Sequence, residues 1–225
     1  MKQEHAPLAQ LYATLTRHSG ADVGHEISRA ERKRTAGFQE KGCVDLGYGE
    51  VTFEMMVRLI SGIKELHGGL SQGGEVFYDL GSGTGKAVFA AAMCHRFRAC
   101  RGVELLHGLH KEAKQLQANY ATNIRRNLPD ERGRATIDLR QGDLGDPKVD
   151  WSEADLVLSN STVFGKGLMR LLEERSRCMK VGSFFVTTTK TLPPCHTGGY
   201  WKILSIHKAQ MSFAKAHVYV QQKIK

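Results

Sequence analysis

Residues 76–86, VFYDLGSGTGK, constrain the fold of this chain most tightly: an apolar run breaks at Asp79 into glycines at 81, 83 and 85, followed by Lys86. The pattern predicts a buried strand turning directly into a helix. Glycine belongs at such a turn because it accepts positive φ and lets backbone N–H groups approach a ligand. Spacing separates the ligands such loops hold. A phosphate loop needs a glycine where Leu80 stands and a Ser or Thr where Ala87 stands. A dinucleotide loop reads G-x-G-x-x-G, and Gly85 arrives one residue early. What remains is D-x-G-x-G-x-G. Its leading acid, Asp79, suits a ligand with a positive group, not a pyrophosphate, and S-adenosylmethionine carries an ammonium and a sulfonium beside its carboxylate and adenosine.

The rest of the chain continues the alternation of strand and helix. HAPLAQLYATLTRH has a helical pattern, glycines mark a loop in AGFQEKGCVDLGYGEV, and VTFEMMVRLISGIKEL recurs helically in its later part. After strand EVFYDL come an alanine-rich helix (GKAVFAAAMCHRF), strand RACRGVEL and a long helix (LHGLHKEAKQLQANYATNIRRN). ATIDLRQGDL and ADLVLSN read as strands three and four, FGKGLMRLLEERSRCMK as a helix and SFFVTTTK as strand five. The runs YWKILSIHKAQM and AHVYVQQKIK then follow without a helix between them. This order predicts an α/β, Rossmann-like, seven-stranded and mostly parallel sheet with one antiparallel strand near its edge. A short helical region and loop (1–50) would precede the main domain (51–225), a size at which one domain buries a full core.

Charge and cysteine usage narrow the setting. Lys and Arg number 32 against 23 Asp and Glu, a net +9, which favours partners that contain nucleic acid. The basic run ISRAERKR concentrates Arg29, Arg32, Lys33 and Arg34, and reads either as a solvated helix face or as a phosphate- or partner-binding patch. The five cysteines, Cys43, Cys94, Cys100, Cys178 and Cys195, form no C-x-x-C pair, so reduced thiols and no metal site are expected. With no signal-like apolar segment and no stretch near membrane-spanning length, an intracellular protein without a membrane partner is expected.

In a doubly wound sheet ligands lie at the carboxyl ends of the strands, so the closing residues carry the chemistry. Strand one closes on Asp79, strand two on Glu104, strand three on Asp143 and strand four on Ser159 and Asn160. A carboxylate such as Glu104, about 20 residues past a glycine loop, can accept both ribose hydroxyls. Asp143, in QGD, is a candidate acceptor for the adenine amine; a Gly-Asp turn is its alternative reading.

With these residues in view, the chain resembles the Dot-one (disruptor of telomeric silencing) family of non-SET histone methyltransferases. DLGSGTGK is common to class I methyltransferases in general. YGEVTF (Tyr48 to Phe53), similar to the family's Y-G-E-T-x-F loop, and NSTVF (Asn160 to Phe164), similar to N-N-F-A-F, are more specific. The resemblance spans roughly residues 45 to 190 and includes RGVEL. The chain departs from the family pattern at Lys86, where glutamine is usual, and at Leu144, where an aromatic is usual; its N-terminal region is short and the family's lysine-rich tail is missing.

The resemblance implies a class I fold and a nuclear enzyme that moves methyl from S-adenosylmethionine to a lysine in the globular core of histone H-three within nucleosomes. It implies cofactor contacts from Tyr48, Glu50, Thr52, Asp79, Gly81, Gly83, Gly85, Lys86, Glu104, Asp143, Leu144 and Asn160. Asn160 would orient the nucleophile, Phe164 would wall the lysine channel, and Tyr48 and Glu50 would close over the methionine end, with Glu50 or Asp79 facing its ammonium. Phe213 and Tyr219 are further candidates for the channel wall, a place in the strand core being the stronger reading for both.

Overall fold

The computed structural model describes residues 5–34, 48–129, 131–211 and 215–225, apart from the side chains of Arg32 and Arg34. Two helices come first, α1 (Ala6–Thr16) and α2 (Ala21–Arg34). Helix α3 (Phe53–His67) begins where the Thr52 hydroxyl accepts from Met55 N–H at 3.2 Å, and ends at Gly68 in the left-handed conformation. Both are ordinary helix caps. Its buried face, which includes Phe53, Met56, Ile60 and Ile63, joins the main core.

The predicted alternation then follows: β1 (Val76–Leu80), α4 (Lys86–Cys94), β2 (Ala99–Glu104), α5 (His107–Asn119), β3 (Thr136–Gln141), β4 (Leu156–Ser159), α6 (Lys166–Ser176), β5 (Phe184–Thr188), β6 (Trp201–Gln210) and β7 (Lys215–Lys223). All five residues of β1 are buried, as expected for a strand covered on both faces. The sheet order is β3-β2-β1-β4-β5-β7-β6. Strands β1 to β5 pair in parallel, and β7 runs antiparallel to both β5 and β6. The seven strands and the single reversed strand near the edge match the alternation read from the sequence.

Two boundaries differ from the sequence reading. The long helix over 106–127 keeps α-geometry only to Asn119, then widens into a π-turn at Tyr120–Ile124 and tightens into a short 3-10 turn. The wide turn lets both Tyr120 and Ile124 stay buried, with the Tyr120 ring 5.3 Å from that of Phe89. Strand three ends at Gln141, so Asp143 lies in the loop beyond it and not at the strand end. The Gly142–Asp143 pair begins a turn there, in which Gly145 N–H donates to Asp143 Oδ1 at 2.7 Å.

The strand order reverses between β1 and β4, the point at which a doubly wound sheet opens a crevice at its carboxyl edge. The N-terminal helices pack beside that crevice. Tyr12 of α1 stacks on Phe53 with centroids 4.8 Å apart. Helix α2 meets α5 at Gly108, where a Cβ would fall 2.6 Å from Ile27, and Glu31 accepts the Gly108 N–H at the first turn of α5. A carboxylate at a helix N-terminus satisfies an orphan donor and complements the macrodipole. Among the described residues no helix is long and apolar enough to cross a membrane.

Candidate cofactor and acceptor site

A cavity of about 940 Å³ opens at the carboxyl edge, lined by the glycine loop, the strand ends and α2. Asp79, the penultimate residue of β1, is 4% exposed on the cavity wall. Among the described residues no hydrogen bond or ion pair reaches its carboxylate. Burial, then the nearby Glu104 charge, pushes its pKa up to about 8. A buried acid without a partner is costly when ionised, and a ligand cation would relieve that cost.

The loop after Asp79 folds back on β2, with Gly81 N–H and Ser82 N–H both donating to Val103 O, at 2.9 and 3.0 Å. Gly81, Gly83 and Gly85 have φ of 85°, 54° and 79°, values L-residues rarely adopt. The three then separate in role. Gly81 and Gly83 line the cavity, and a Cβ on Gly83 would lie 2.9 Å from the Tyr48 ring. Gly85 lies off the cavity wall: it is the N-cap of α4, and a Cβ there would press on Ala113 and Phe89 at 3.3 Å. Its role here is packing, because α4 must approach α5 and the sheet closely.

Glu104 ends β2, almost fully buried, and accepts Gly83 N–H on Oε2 and Leu106 N–H on Oε1, each at 2.8 Å. Burial raises its pKa against the lowering effect of those N–H groups. A carboxylate offers about four acceptor positions, so Glu104 keeps acceptor capacity for a ribose hydroxyl. Asp143 and Leu144 both line the cavity, Asp143 from the turn that its Oδ1 closes.

Tyr48, Gly49 and Glu50 form the opposite wall. The Tyr48 hydroxyl donates to Glu50 Oε1 and lies 3.1 Å from Thr84 Oγ1. Burial, then the Glu50 charge, raises the Tyr48 pKa, so the phenol is a neutral donor. Lys86 Nζ donates to Glu50 Oε1 and Oε2 at 2.7 and 2.8 Å. Helix α2 supports this wall: Gly24 leaves room for the Tyr48 ring, His25 meets it edge-on at 5.3 Å, and Ser28 lines the cavity. With Glu50 held by Lys86 and Tyr48, Asp79 is the acid with capacity left for an ammonium.

Asn160, directly after β4, joins the two sides of the crevice. Its Nδ2 donates to Gly49 O at 2.8 Å, and its Oδ1 accepts from Thr188 at 2.7 Å and from Thr162 at 3.2 Å. Phe164 follows a single 3-10 turn, lines the cavity and lies against Gly81, where a Cβ would meet its ring at 3.4 Å. The sequence reading missed Thr84, Thr162 and Thr188, although the run of threonines closing strand five was a visible sign of hydroxyls at the carboxyl edge.

Two further candidates lie elsewhere. Thr52 does not line the cavity; its hydroxyl caps α3. Tyr219 is half-buried on β7 opposite Thr187 of β5, away from the cavity wall. Phe213 lies outside the described residues, as does Cys43.

The sheet order and the carboxyl-edge cavity are those of the class I methyltransferase fold, and solved structures share the architecture. An S-adenosylmethionine-dependent methyltransferase from Thiobacillus denitrificans, in complex with S-adenosyl-L-homocysteine, superposes with a TM-score of 0.51 at 13% identity, covering 76% of this chain and 92% of that one. The rRNA methyltransferase AviRa of Streptomyces viridochromogenes gives 0.54 at 14% identity, over 78% and 86% of the two chains. The ribosomal protein L11 methylase of Lactobacillus delbrueckii subsp. bulgaricus gives 0.51 at 14%, over 77% and 79%. Such identities establish the fold alone. No curated protein matches the chain. The family model described as histone methylation protein DOT1 matches residues 39–214. The chain belongs to the DOT1 family of histone methylation proteins, and S-adenosylmethionine is its methyl donor.

Proposed function

We propose that this protein methylates a lysine in the globular core of histone H-three within nucleosomes, and acts in the nucleus. The observation that carries the reading, given the family, is the position of Asn160. One side chain ties the loop that closes the cofactor cavity, through Gly49 O, to the hydroxyls of Thr162 and Thr188 at the strand ends. The donor wall and the acceptor side are thereby held in one register.

The cofactor fits the residues present. Asp79 holds an ammonium and relieves its own burial, Glu104 accepts a ribose diol, Gly81 and Gly83 keep the wall clear of side chains, and Asp143 and Leu144 take the base. From the region before residue 51, Ser28, Tyr48, Gly49 and Glu50 supply the closing side of the cavity. When bound, the cofactor supplies a methyl group already activated by a sulfonium. The chain contributes alignment and exclusion of water, and alignment alone accounts for much of the barrier reduction in such displacements. The acceptor lysine, with an ordinary pKa near 10.4, attacks only as the neutral amine; an apolar wall from Phe164 and Val163 favours that form, so no strong base is required.

The basic residues sit on α2, whose Ser28 lines the cavity. Arg29 and Lys33 are exposed there; the side chains of Arg32 and Arg34 lie outside the described residues. A lysine on a folded histone surface must be reached by docking on the particle, and arginine contacts to phosphates or acidic histone surface provide it. Mass spectrometry of nucleosomes incubated with the protein and labelled cofactor tests the reading. It requires label on a lysine within the folded part of histone H-three, lost when Arg29, Arg32, Lys33 and Arg34 are neutralised together. Label confined to a tail lysine or to another histone would contradict it.

A further inference from the structure

Strand β5 ends in a strained corner beside the acceptor side of the cavity. Thr189, the residue after it, has φ 64°, in the left-handed region where a β-branched side chain is an outlier. Only Leu70 shares that conformation among the described non-glycine residues. Thr189 N–H donates to His217 O at 2.8 Å, and the next amide, of Lys190, reaches back to Thr188 O at 2.6 Å. From this corner the Lys190 side chain meets the segment that follows β4, where Nζ donates to Thr162 O at 3.1 Å and to Phe164 O. We infer that Lys190 is a positioning residue for methyl transfer, fixing the 160–164 segment that carries Asn160 and the Phe164 wall. The assignment rests on that segment forming the acceptor side, as proposed.

Lys190 joins a set of bonds between the same two stretches of chain. Ser161 Oγ donates to Thr188 O at 2.7 Å, and Thr188 Oγ1 donates to Asn160 Oδ1 at 2.7 Å. The Thr162 hydroxyl lies 3.0 Å from those of both Thr188 and Thr189. These hydroxyls hold residues 160–162; of the contacts from this corner, the Lys190 ammonium reaches furthest along the segment, to Phe164. Among the described residues no carboxylate pairs with that part-buried ammonium, so carbonyl dipoles alone receive it. Backbone strain and such a cation persist only where the surrounding structure over-determines them, and both occur here next to residues that line the cavity.

The alternative is a purely structural tie, which would weaken stability, cofactor affinity and turnover together. A positioning tie acts on the reacting geometry, where a displacement of about 1 Å can cost on the order of 100-fold in rate.

Two measurements on Lys190→Met separate these roles. Hydrogen exchange read by mass spectrometry needs no substrate: amides of residues 160–165 should exchange about tenfold faster or more, with those of the glycine loop unchanged. In steady-state methylation of nucleosomes, kcat should fall about 30-fold, with KM for nucleosomes and calorimetric affinity for S-adenosylhomocysteine within about twofold of the unaltered protein. Lys190→Arg, which keeps charge and donors, should recover most of the rate. Unchanged exchange at 160–165, equal losses in kcat and cofactor affinity, or no recovery in Lys190→Arg would overturn the assignment. If the unaltered protein labels no nucleosomal lysine, the proposed substrate is wrong, and exchange at 160–165 still decides whether Lys190 fixes the segment.

Discussion

If Asp79 holds the cofactor's ammonium, cofactor binding is coupled to pH. Burial and Glu104 raise its pKa to about 8, so at pH 7 roughly nine molecules in ten carry a neutral Asp79 in the free protein. An ammonium binds the ionised form, and the apparent affinity scales with the ionised fraction, about 0.01 at pH 6 and 0.09 at pH 7. Binding of S-adenosylhomocysteine should therefore tighten about ninefold over that unit of pH, a range in which its own amine stays charged. Calorimetry at pH 7 in buffers of different ionisation enthalpy should show release of about 0.9 proton on binding. The same shift has a stability consequence of defined sign. A carboxyl whose folded pKa lies above its unfolded value of about 3.8 binds more protons folded than unfolded between those two values, so the free protein loses stability as pH rises there. The loss is about 1.3 kcal/mol per pH unit between pH 5 and 7, ending above pH 8. In Asp79→Asn the Asp79 share of both slopes should disappear, read as the difference between the two proteins because other shifted groups such as Glu75, His95 and Glu104 also titrate. An affinity flat from pH 6 to 7, or slopes the same in Asp79→Asn as in the unaltered protein, would refute the reasoning.

The other substitutions act on packing and alignment. Gly83→Arg places a side chain against the Tyr48 ring and into the cavity, and should weaken S-adenosylhomocysteine binding by about 100-fold or more while the far-ultraviolet circular dichroism is unchanged. Gly85→Ala should instead lower stability by about 1–3 kcal/mol in thermal unfolding and leave cofactor affinity near its original value, because that glycine serves helix packing at positive φ. Asn160→Ala should reduce turnover by about 100-fold and cofactor affinity far less, measured by steady-state kinetics beside calorimetry; equal losses in both would make Asn160 a binding residue.

Much of the fold was legible because β1 to β5 obey simple rules: short buried runs, helical recurrence between them, and acids or amides at the carboxyl ends. Asp79, Glu104 and Asn160 could be named from that alone. Relations between distant segments were not legible. The Lys86–Glu50 pair joins positions 36 apart in sequence, and Asn160 reaches Gly49 across 111. No local pattern encodes either contact, and the first of them leaves Asp79 rather than Glu50 as the acid proposed for an ammonium. Thr52 caps α3 instead of lining the cavity, and the local signal for that was present, since a threonine before an apolar-periodic run is a helix cap first. Strand three was read as closing on Asp143 but ends at Gln141, and Asp143 lines the cavity from the Gly-Asp turn that follows. Gly85 belongs to the loop motif yet serves packing, a distinction only the approach of Ala113 and Phe89 reveals.

The central claim is that the carboxyl-edge cavity delivers methyl groups to a histone presented on the nucleosome. The direct measurement compares transfer of labelled methyl from S-adenosylmethionine to reconstituted nucleosomes, to a peptide spanning the same lysine, and to total RNA, for the unaltered protein and for Gly83→Arg. The account predicts transfer to nucleosomes well above transfer to peptide, falling as salt rises through loss of phosphate contacts, with none to RNA and none from Gly83→Arg. Efficient labelling of RNA with unlabelled nucleosomes, or labelling that Gly83→Arg retains, would contradict it.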